Sequence, residues 1–433
     1  MKDNKKIGLA LSGGGFRAAA FHLGVISKLN KLNLLESIDI VSTISGGSIV
    51  GAYYLLNKND FTKFETGFIN SLQKSVIKEI LFSRRILITL ILLTLSTFLS
   101  AYIFIKVGNL VTILVPILLI IISLLYFQFF FLPFSKLKEK AYRKIFFSNQ
   151  KLTDLPDSPA IAINSTNLET GTLFTFSKSK VSDSSYEYPK DGGKSIKFKS
   201  ETFNISFAVA CSTAVPVPFN PYKLKKENFK NHEDYKRISP ALSDGGLYDN
   251  QGIHKLTQPK SSYECDVIIC SDGSQPFTFK YRGFNSFDVL YRSTDIMMRK
   301  IKSLQFIRDV YGKQKSIAYF SLDWEYEKCI EYFIRAIKEN KVSIELINYH
   351  KINQALINEI MKNDFVNALI YIKDLIKYSS IIKEGVNSEE RVYISKIKTN
   401  LTALSKDQIQ LLSKHGSVLI ELQLRLYCPT LII

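Results

Sequence analysis

The chain is short of the residues from which metal and redox chemistry are usually built. Its 433 residues hold five cysteines, at 211, 265, 270, 329 and 428, and five histidines, at 22, 232, 254, 350 and 415. The cysteines are odd in number and form no CxxC pair, so neither a disulfide framework nor a zinc site is indicated, and reduced thiols in a cytosolic setting are the simplest reading. HExxH and an EF-hand loop are also missing, and no metal or cofactor is expected. The first apolar run, residues 7–11, is too short for the core of an export signal and ends in glycines. Acidic residues are outnumbered, 39 against 57 basic, for a formal charge of +18, which favours nucleic acid or an anionic membrane as partner. No internal repeat or low-complexity tract is present.

What the chain has in excess is apolar sequence, 46% of its residues, enough for a sizeable core. Residues 86–105 and 110–132 carry no charge, and each is long enough to cross about 30 Å of hydrocarbon as a helix. Only residues 106–109 separate them, which predicts a tight hairpin, and Pro116 predicts a kink in its second arm. Tyr102 and Tyr126 suit the interfaces. Lys74, Lys78, Arg84 and Arg85 precede the hairpin, Lys136, Lys138, Lys140, Arg143 and Lys144 follow it, and Lys106 alone sits in its turn. The expectation is an integral membrane protein with two spans and both soluble flanks in the cytoplasm. It also selects an anionic membrane surface, not nucleic acid, as the partner of the basic charge.

Residues 6–12 read as a buried strand, Gly13, Gly14 and Gly15 as a turn, and residues 16–30 as a helix. Backbone amides at such a helix N-terminus can hold a phosphate or a developing oxyanion. Gly13, Gly15 and Ala18 satisfy a dinucleotide-binding spacing, but the acidic residue wanted at the end of the second strand is missing: Asp39 stands at its start. That strand, residues 38–42, runs instead into Thr43, Ile44, Ser45, Gly46 and Gly47. A serine between strand and helix followed by small residues is the arrangement of a nucleophile elbow, with Thr43 where the first glycine of G-x-S-x-G would stand. Ser42, Thr43 and Ser48 read as caps or turn residues. No histidine has a catalytic setting: His22 falls in the apolar first helix, and His254 follows an Asp-Gly-Gly turn. Asp244, set against Gly245 and Gly246, could serve as base directly, because a desolvated carboxylate needs no histidine to activate a serine.

Together these stretches resemble the patatin-like phospholipase family, which shares a serine–aspartate dyad with cytosolic phospholipase A2. Residues 12–17 resemble its glycine-rich oxyanion loop, giving Gly13, Gly14 and Gly15 the donor role and Arg17 a supporting one. Residues 43–47 resemble its elbow, with Ser45 as nucleophile and Gly47 supporting, and residues 244–246 its base signature, with Asp244 as base and Gly245 supporting. Residues 208–221 resemble a block that packs near the site, and residues 401–416 a closing helix of some members. The resemblance implies hydrolysis of acyl esters of a phospholipid or lysophospholipid, without metal. The alternative is a catalytically weak lipid-binding or membrane-remodelling protein on the same fold.

The expected architecture is an α/β, three-layer α/β/α catalytic domain, discontinuous over residues 1–83 and 146–275. A transmembrane hairpin at 84–145 interrupts it, and a mostly helical region at 276–433 follows. Residues 266–270 read as a further strand, residues 177–200 as a mobile loop over the site, and residues 287–311 and 327–340 as helices.

Overall fold

The computed structural model describes residues 5–190, 192–277, 279, 281, 283–310, 312 and 315–432; residues 1–4, Asp191 and Tyr311, all within segments read above, lie outside these. Among the described residues one mixed sheet is built from β1 (Ile7–Leu11), β2 (Ile40–Ile44), β3 (Ala160–Asn167), β4 (Thr172–Phe176), β5 (Val181–Asp183), β6 (Tyr222–Lys223), β7 (Ala241–Asp244), β8 (Val267–Asp272) and β9 (Ser316–Ser321). Its order is β5-β4-β3-β2-β1-β8-β9, with β7 paired to both β3 and β6. From β3 across to β9 the strands are parallel, and β4, β5, β6 and β7 are antiparallel additions.

The central strand, β1, is buried along its whole length, which is why its sequence IGLAL is apolar without alternation. Leu9, Leu11, Ile269, Ala318 and Phe320 enter the larger core, while Ala10, Ile268, Cys270, Ile317 and Tyr319 enter the smaller one on the opposite face. Helices α1 (Gly15–Lys31) and α2 (Gly46–Leu56) lie in the larger core. The opposite face is closed thinly by Ile253, Leu256, Tyr263 and Cys265, so the expected sandwich is lopsided.

The second apolar run departs from expectation. Helix α3 (Arg84–Val107) is N-capped by Ser83 and ended by Gly108 in the left-handed region; at 24 residues it measures about 36 Å. Its sides are almost wholly exposed, with Leu92, Phe98 and Ile105 all more than half accessible. Asn109 then starts α4 (Val111–Tyr126), accepting from Val111 N at 3.0 Å, and Arg85 Nη2 donates to Phe130 O at 2.9 Å, so the two arms fold back on each other. The helix expected through residue 132 stops at Tyr126, and the chain bends by 83° into residues 128–147. By length and composition, one helix among the described residues, α3, can cross a membrane alone; the second arm is a broken element. The helix that follows, α5 (Phe134–Tyr142), returns to the core, and Lys138, expected among the basic flank residues, is fully buried.

Residues 177–200 are not a bare loop. They contribute β5 to the sheet edge and bury Tyr186, Ile196 and Phe198, with Asp183 accepting from Asn167 Nδ2 and Thr172 Oγ1, each at 2.9 Å. Helix α6 (Ile205–Ser212) packs on β3 beside them. Farther on, α7 (Ser286–Gln305) and α8 (Tyr326–Lys338) match the two helical patterns, but β9 between them adds a strand to the main sheet. Helix α9 (Lys406–Tyr427) opens on a reciprocal cap between Ser405 and Gln408 and lies against α1. The crossing is close because both helices present glycine there: a Cβ on Gly24 would stand 1.8 Å from Ser413 O, and one on Gly416 2.4 Å from Phe21 O. Residues beyond 275 are thus built into the same sheet and core.

Candidate active site

In a parallel sheet the crevice lies past the carboxyl ends of the strands. Here β2, β1 and β8 are neighbours, so the segments after Ile44, Leu11 and Asp272 converge. After β1 the chain turns through Gly14 (φ 143°) and Gly15 (φ 62°) into α1. A Cβ on Gly15 would meet Asn400 O at 2.5 Å, and the next amide, that of Phe16, donates to the same oxygen at 3.0 Å. Gly13 N donates to Asn250 O at 2.9 Å, and Gly47 N to Ser12 O at 3.0 Å. Among the described residues, the amides of Gly14, Gly15 and Gly46 have no acceptor.

Ser45 follows β2 at φ 48°, ψ −114°, a conformation that costs a non-glycine residue about 1–3 kcal/mol and turns the side chain out of the strand. Gly46 and Gly47 let the corner pack, since a Cβ on Gly46 would lie 2.3 Å from Gly15 O and one on Gly47 2.2 Å from Leu11 O. Ser45 N donates to Ser212 Oγ at 2.9 Å; Ser212 Oγ bonds Ser48 Oγ at 2.8 Å, and Ser48 Oγ donates to Thr43 Oγ1 at 3.0 Å.

Asp244 reaches the same place from the other direction. β2 ends with Ile44 opposite Asn164 of β3, and β7, antiparallel to β3, ends with Asp244 opposite Ser165. Asp244 N donates to Ala214 O at 2.9 Å, and Asp244 Oδ1 accepts from Gly246 N at 2.8 Å. Oδ2 is buried and has no hydrogen-bond partner. Burial pushes the carboxyl pKa up to about 6, opposed by the Gly246 amide, the Ser45 hydroxyl and the Lys138 ammonium. Ser45 and Asp244 are each 7% exposed. Met298 of α7 reaches toward Gly246, its Cε 3.3 Å from where a Cβ there would stand.

The family model for patatin-like phospholipases matches residues 9–257, more than half of the chain, a range that holds the glycine turn, Ser45 and Asp244 but not Asp272, Met298 or Asn400. The chain belongs to this family. A 48-residue stretch is 46% identical to SPO1 of Saccharomyces cerevisiae, named a meiotic phospholipase, covering 11% of this chain and 8% of that one. Among solved structures it is similar to human GIVD cytosolic phospholipase A2 bound to methyl gamma-linolenyl fluorophosphonate (12% identity, TM-score 0.45, 96% of this chain and 57% of that one). It is also similar to VipD from Legionella pneumophila (13% identity, TM-score 0.29, 90% of this chain and 82% of that one). The chain therefore spans less than two thirds of the length of the yeast and human proteins.

Ser45, Asp244 and the glycine turn, the site residues expected from the sequence, are brought together at one place by the fold. Gly13 was expected as a donor, but its amide is already bonded to Asn250. Gly46, not among the expected donors, has an amide without an acceptor among the described residues, and the residue after an elbow serine commonly points its amide at the oxyanion. Arg17 lies fully buried behind the turn, donating to Ile397 O at 2.9 Å and Gly273 O at 3.1 Å, and burial draws its pKa down to about 10. Gly245 is wedged against Asn164, with room for no Cβ. His22 is a packed neutral group between Ser271 Oγ (2.8 Å) and Ser12 O (3.0 Å), its pKa drawn down to about 4 by burial. Ser212, Asn250 and Lys138 carried no signal of their own, beyond the place of Ser212 in the 208–221 block.

Proposed function

We propose that this chain is a membrane-anchored acyl hydrolase of phospholipids or lysophospholipids that works through a Ser45–Asp244 dyad. Ser45 Oγ attacks the ester carbonyl and its proton passes to Asp244; the amides of Gly14, Gly15 and Gly46 hold the oxyanion. Collapse of the tetrahedral species releases the alcohol, which takes the proton from Asp244, and leaves an acyl-serine. Asp244 then deprotonates the attacking water and returns that proton to Ser45 Oγ as the fatty acid departs. Each such amide donor is worth about 2.7–4 kcal/mol of barrier.

One observation supports this reading above all: a serine held at a strained strand-to-helix corner has its hydroxyl against a buried carboxylate whose Oδ2 makes no hydrogen bond of good geometry. The catalytic unit is residues 1–83 with 146–275, completed by β9 and α9. Helix α3 spans the bilayer and the broken second arm returns the chain. Both flanks then share the cytoplasmic side, where exposed Lys74, Lys78, Lys136, Lys140 and Lys144 face anionic lipid.

The test is fatty-acid release from mixed phosphatidylcholine–phosphatidylglycerol vesicles by the detergent-solubilised full chain, beside S45A and D244N. Equal release by all three sinks the assignment. The low exposure of both side chains favours a second reading, a lipid-binding protein with little turnover. Vesicle binding without fatty-acid release or fluorophosphonate labelling would select it.

A further inference from the structure

We propose that Lys138 is a positioning residue for the Ser45–Asp244 reaction: a buried cation that favours the ionised form of Asp244 and clamps the end of α6 and the loop after it, residues 212–220, to which the backbone amides of both residues are bonded. The inference rests on the dyad reading above.

Lys138 lies on α5, the helix that follows the apolar insert, and none of its surface reaches solvent. Its Nζ donates to Thr213 O at 2.8 Å and stands 4.0 Å from the centre of the Phe219 ring and 5.6 Å from that of Tyr222. Three consecutive residues, the last of α6 and the first two of the loop after it, thus make three separate attachments. Ser212 Oγ takes the Ser45 amide at 2.9 Å, Thr213 O takes Lys138, and Ala214 O takes the Asp244 amide at 2.9 Å. Helix α5 grips the loop twice more, through Tyr142 Oη to Thr213 Oγ1 at 3.1 Å and Ser135 Oγ to Asn220 O at 2.7 Å.

A lone buried ammonium costs several kcal/mol unless an anion answers it. The titratable groups facing Lys138 from the elements around it are Asp244 of β7, Cys211 of α6, Tyr222 of β6, and Tyr142 and Glu139 of its own helix. Burial holds Cys211, Tyr222 and Tyr142 neutral, and Glu139 pairs with Arg143 at 3.1 Å. Asp244 is left as the anion. Burial draws the Lys138 pKa down to about 7 and Asp244 draws it back, so the ammonium is charged where Asp244 itself titrates.

Removing the charge should therefore raise the acid limb of the reaction. The experiment follows the rate of fluorophosphonate labelling of the full chain in vesicles from pH 5 to 9, normalised to the final labelled fraction so that only folded molecules count. K138M removes charge and clamp together; K138Q keeps a donor for Thr213 O without the charge. Both should move the acid limb upward by about half a pH unit or more, label about threefold slower at pH 6, and converge on the wild type above pH 8.5. Limbs that overlay the wild type, or a fall by one factor at every pH, overturn the inference. Labelling that survives S45A sinks the dyad reading itself; labelling lost in S45A with unshifted Lys138 variants overturns only the present step.

Discussion

Asp244 stands one rung beyond Ile44 along the same strand: Ile44 is opposite Asn164 and Asp244 opposite Ser165. β2 and β7 approach β3 from opposite directions and stop at each other's ends. Ser45, one residue past the end of β2, and Asp244, at the end of β7, are therefore neighbours although 199 positions and the whole apolar insert separate them in the chain. The sheet fixes this meeting through backbone pairing, so the two side chains are placed by rigid elements.

Replacing Asp244 with Asn should abolish turnover and stabilise the protein at neutral and alkaline pH. The folded pKa, about 6, lies above the ordinary 3.8, so the fold favours the protonated carboxyl. Its stabilising contribution is present below about pH 3.8 and is lost as pH rises through 6; Asn never ionises and escapes that loss. Urea titrations should give D244N a gain on the order of 1–3 kcal/mol at pH 8 that shrinks toward nothing at pH 4. A D244N protein less stable than the wild type at pH 8 contradicts the burial argument.

The same ionisation predicts an acid limb near pH 6 in fluorophosphonate labelling, with rate lost below it as the base takes up its proton. His22 is already neutral there, its pKa being near 4. H22Q should therefore keep the limb where it is, and a limb that follows His22 would assign the base wrongly.

Ser212→Ala removes the acceptor of the Ser45 amide and a partner of Ser48. The corner loosens without losing its glycines, so kcat should fall about 10- to 100-fold with KM nearly unchanged. An unaffected kcat would show that the strained corner holds without this bond.

The proposed anchoring rests on α3. Paired substitutions Ile91→Lys and Leu95→Lys place two charges in its middle, at about 2.5–3.5 kcal/mol each on insertion scales. The variant should leave the alkaline-carbonate pellet for the supernatant, while the wild type stays in the pellet. Retention of both in the pellet removes α3 from the anchor.

The α1–α9 crossing offers a check on the core away from the site. Gly24→Val would drive a side chain into Ser413, whose carbonyl oxygen lies 1.8 Å from even an added Cβ, and backbone there cannot yield cheaply. Chemical denaturation should show a loss of at least about 3 kcal/mol or failure to fold. A stable Gly24→Val would mean that the helices are farther apart than described.

Much of the site was legible because its chemistry is local in sequence: a glycine turn, a serine corner and an Asp-Gly-Gly turn each follow a strand and bring their own backbone geometry. β1, α1, β8 and the helices α7 and α8 could be read for the same reason, from runs whose periodicity stands alone. β9 escaped because six residues flanked by longer helical patterns leave no periodic signature. The second apolar arm was read as one helix because hydropathy does not register the break at Phe127. Lys138 was counted with the basic flank because charge in a sequence says nothing about depth; only the fold of α5 takes it inside. Gly13 looked like a donor until the fold supplied Asn250 to occupy it.

The glycine turn is finished from far downstream: Phe16 N is bonded to Asn400 O, and Arg17 to Ile397 O. During synthesis those carbonyls leave the ribosome only after some 260 further residues have followed the apolar insert at 84–132. If α3 enters the bilayer as proposed, the nascent chain meets lipid while its cleft is still incomplete, and the glycine turn is finished only afterwards.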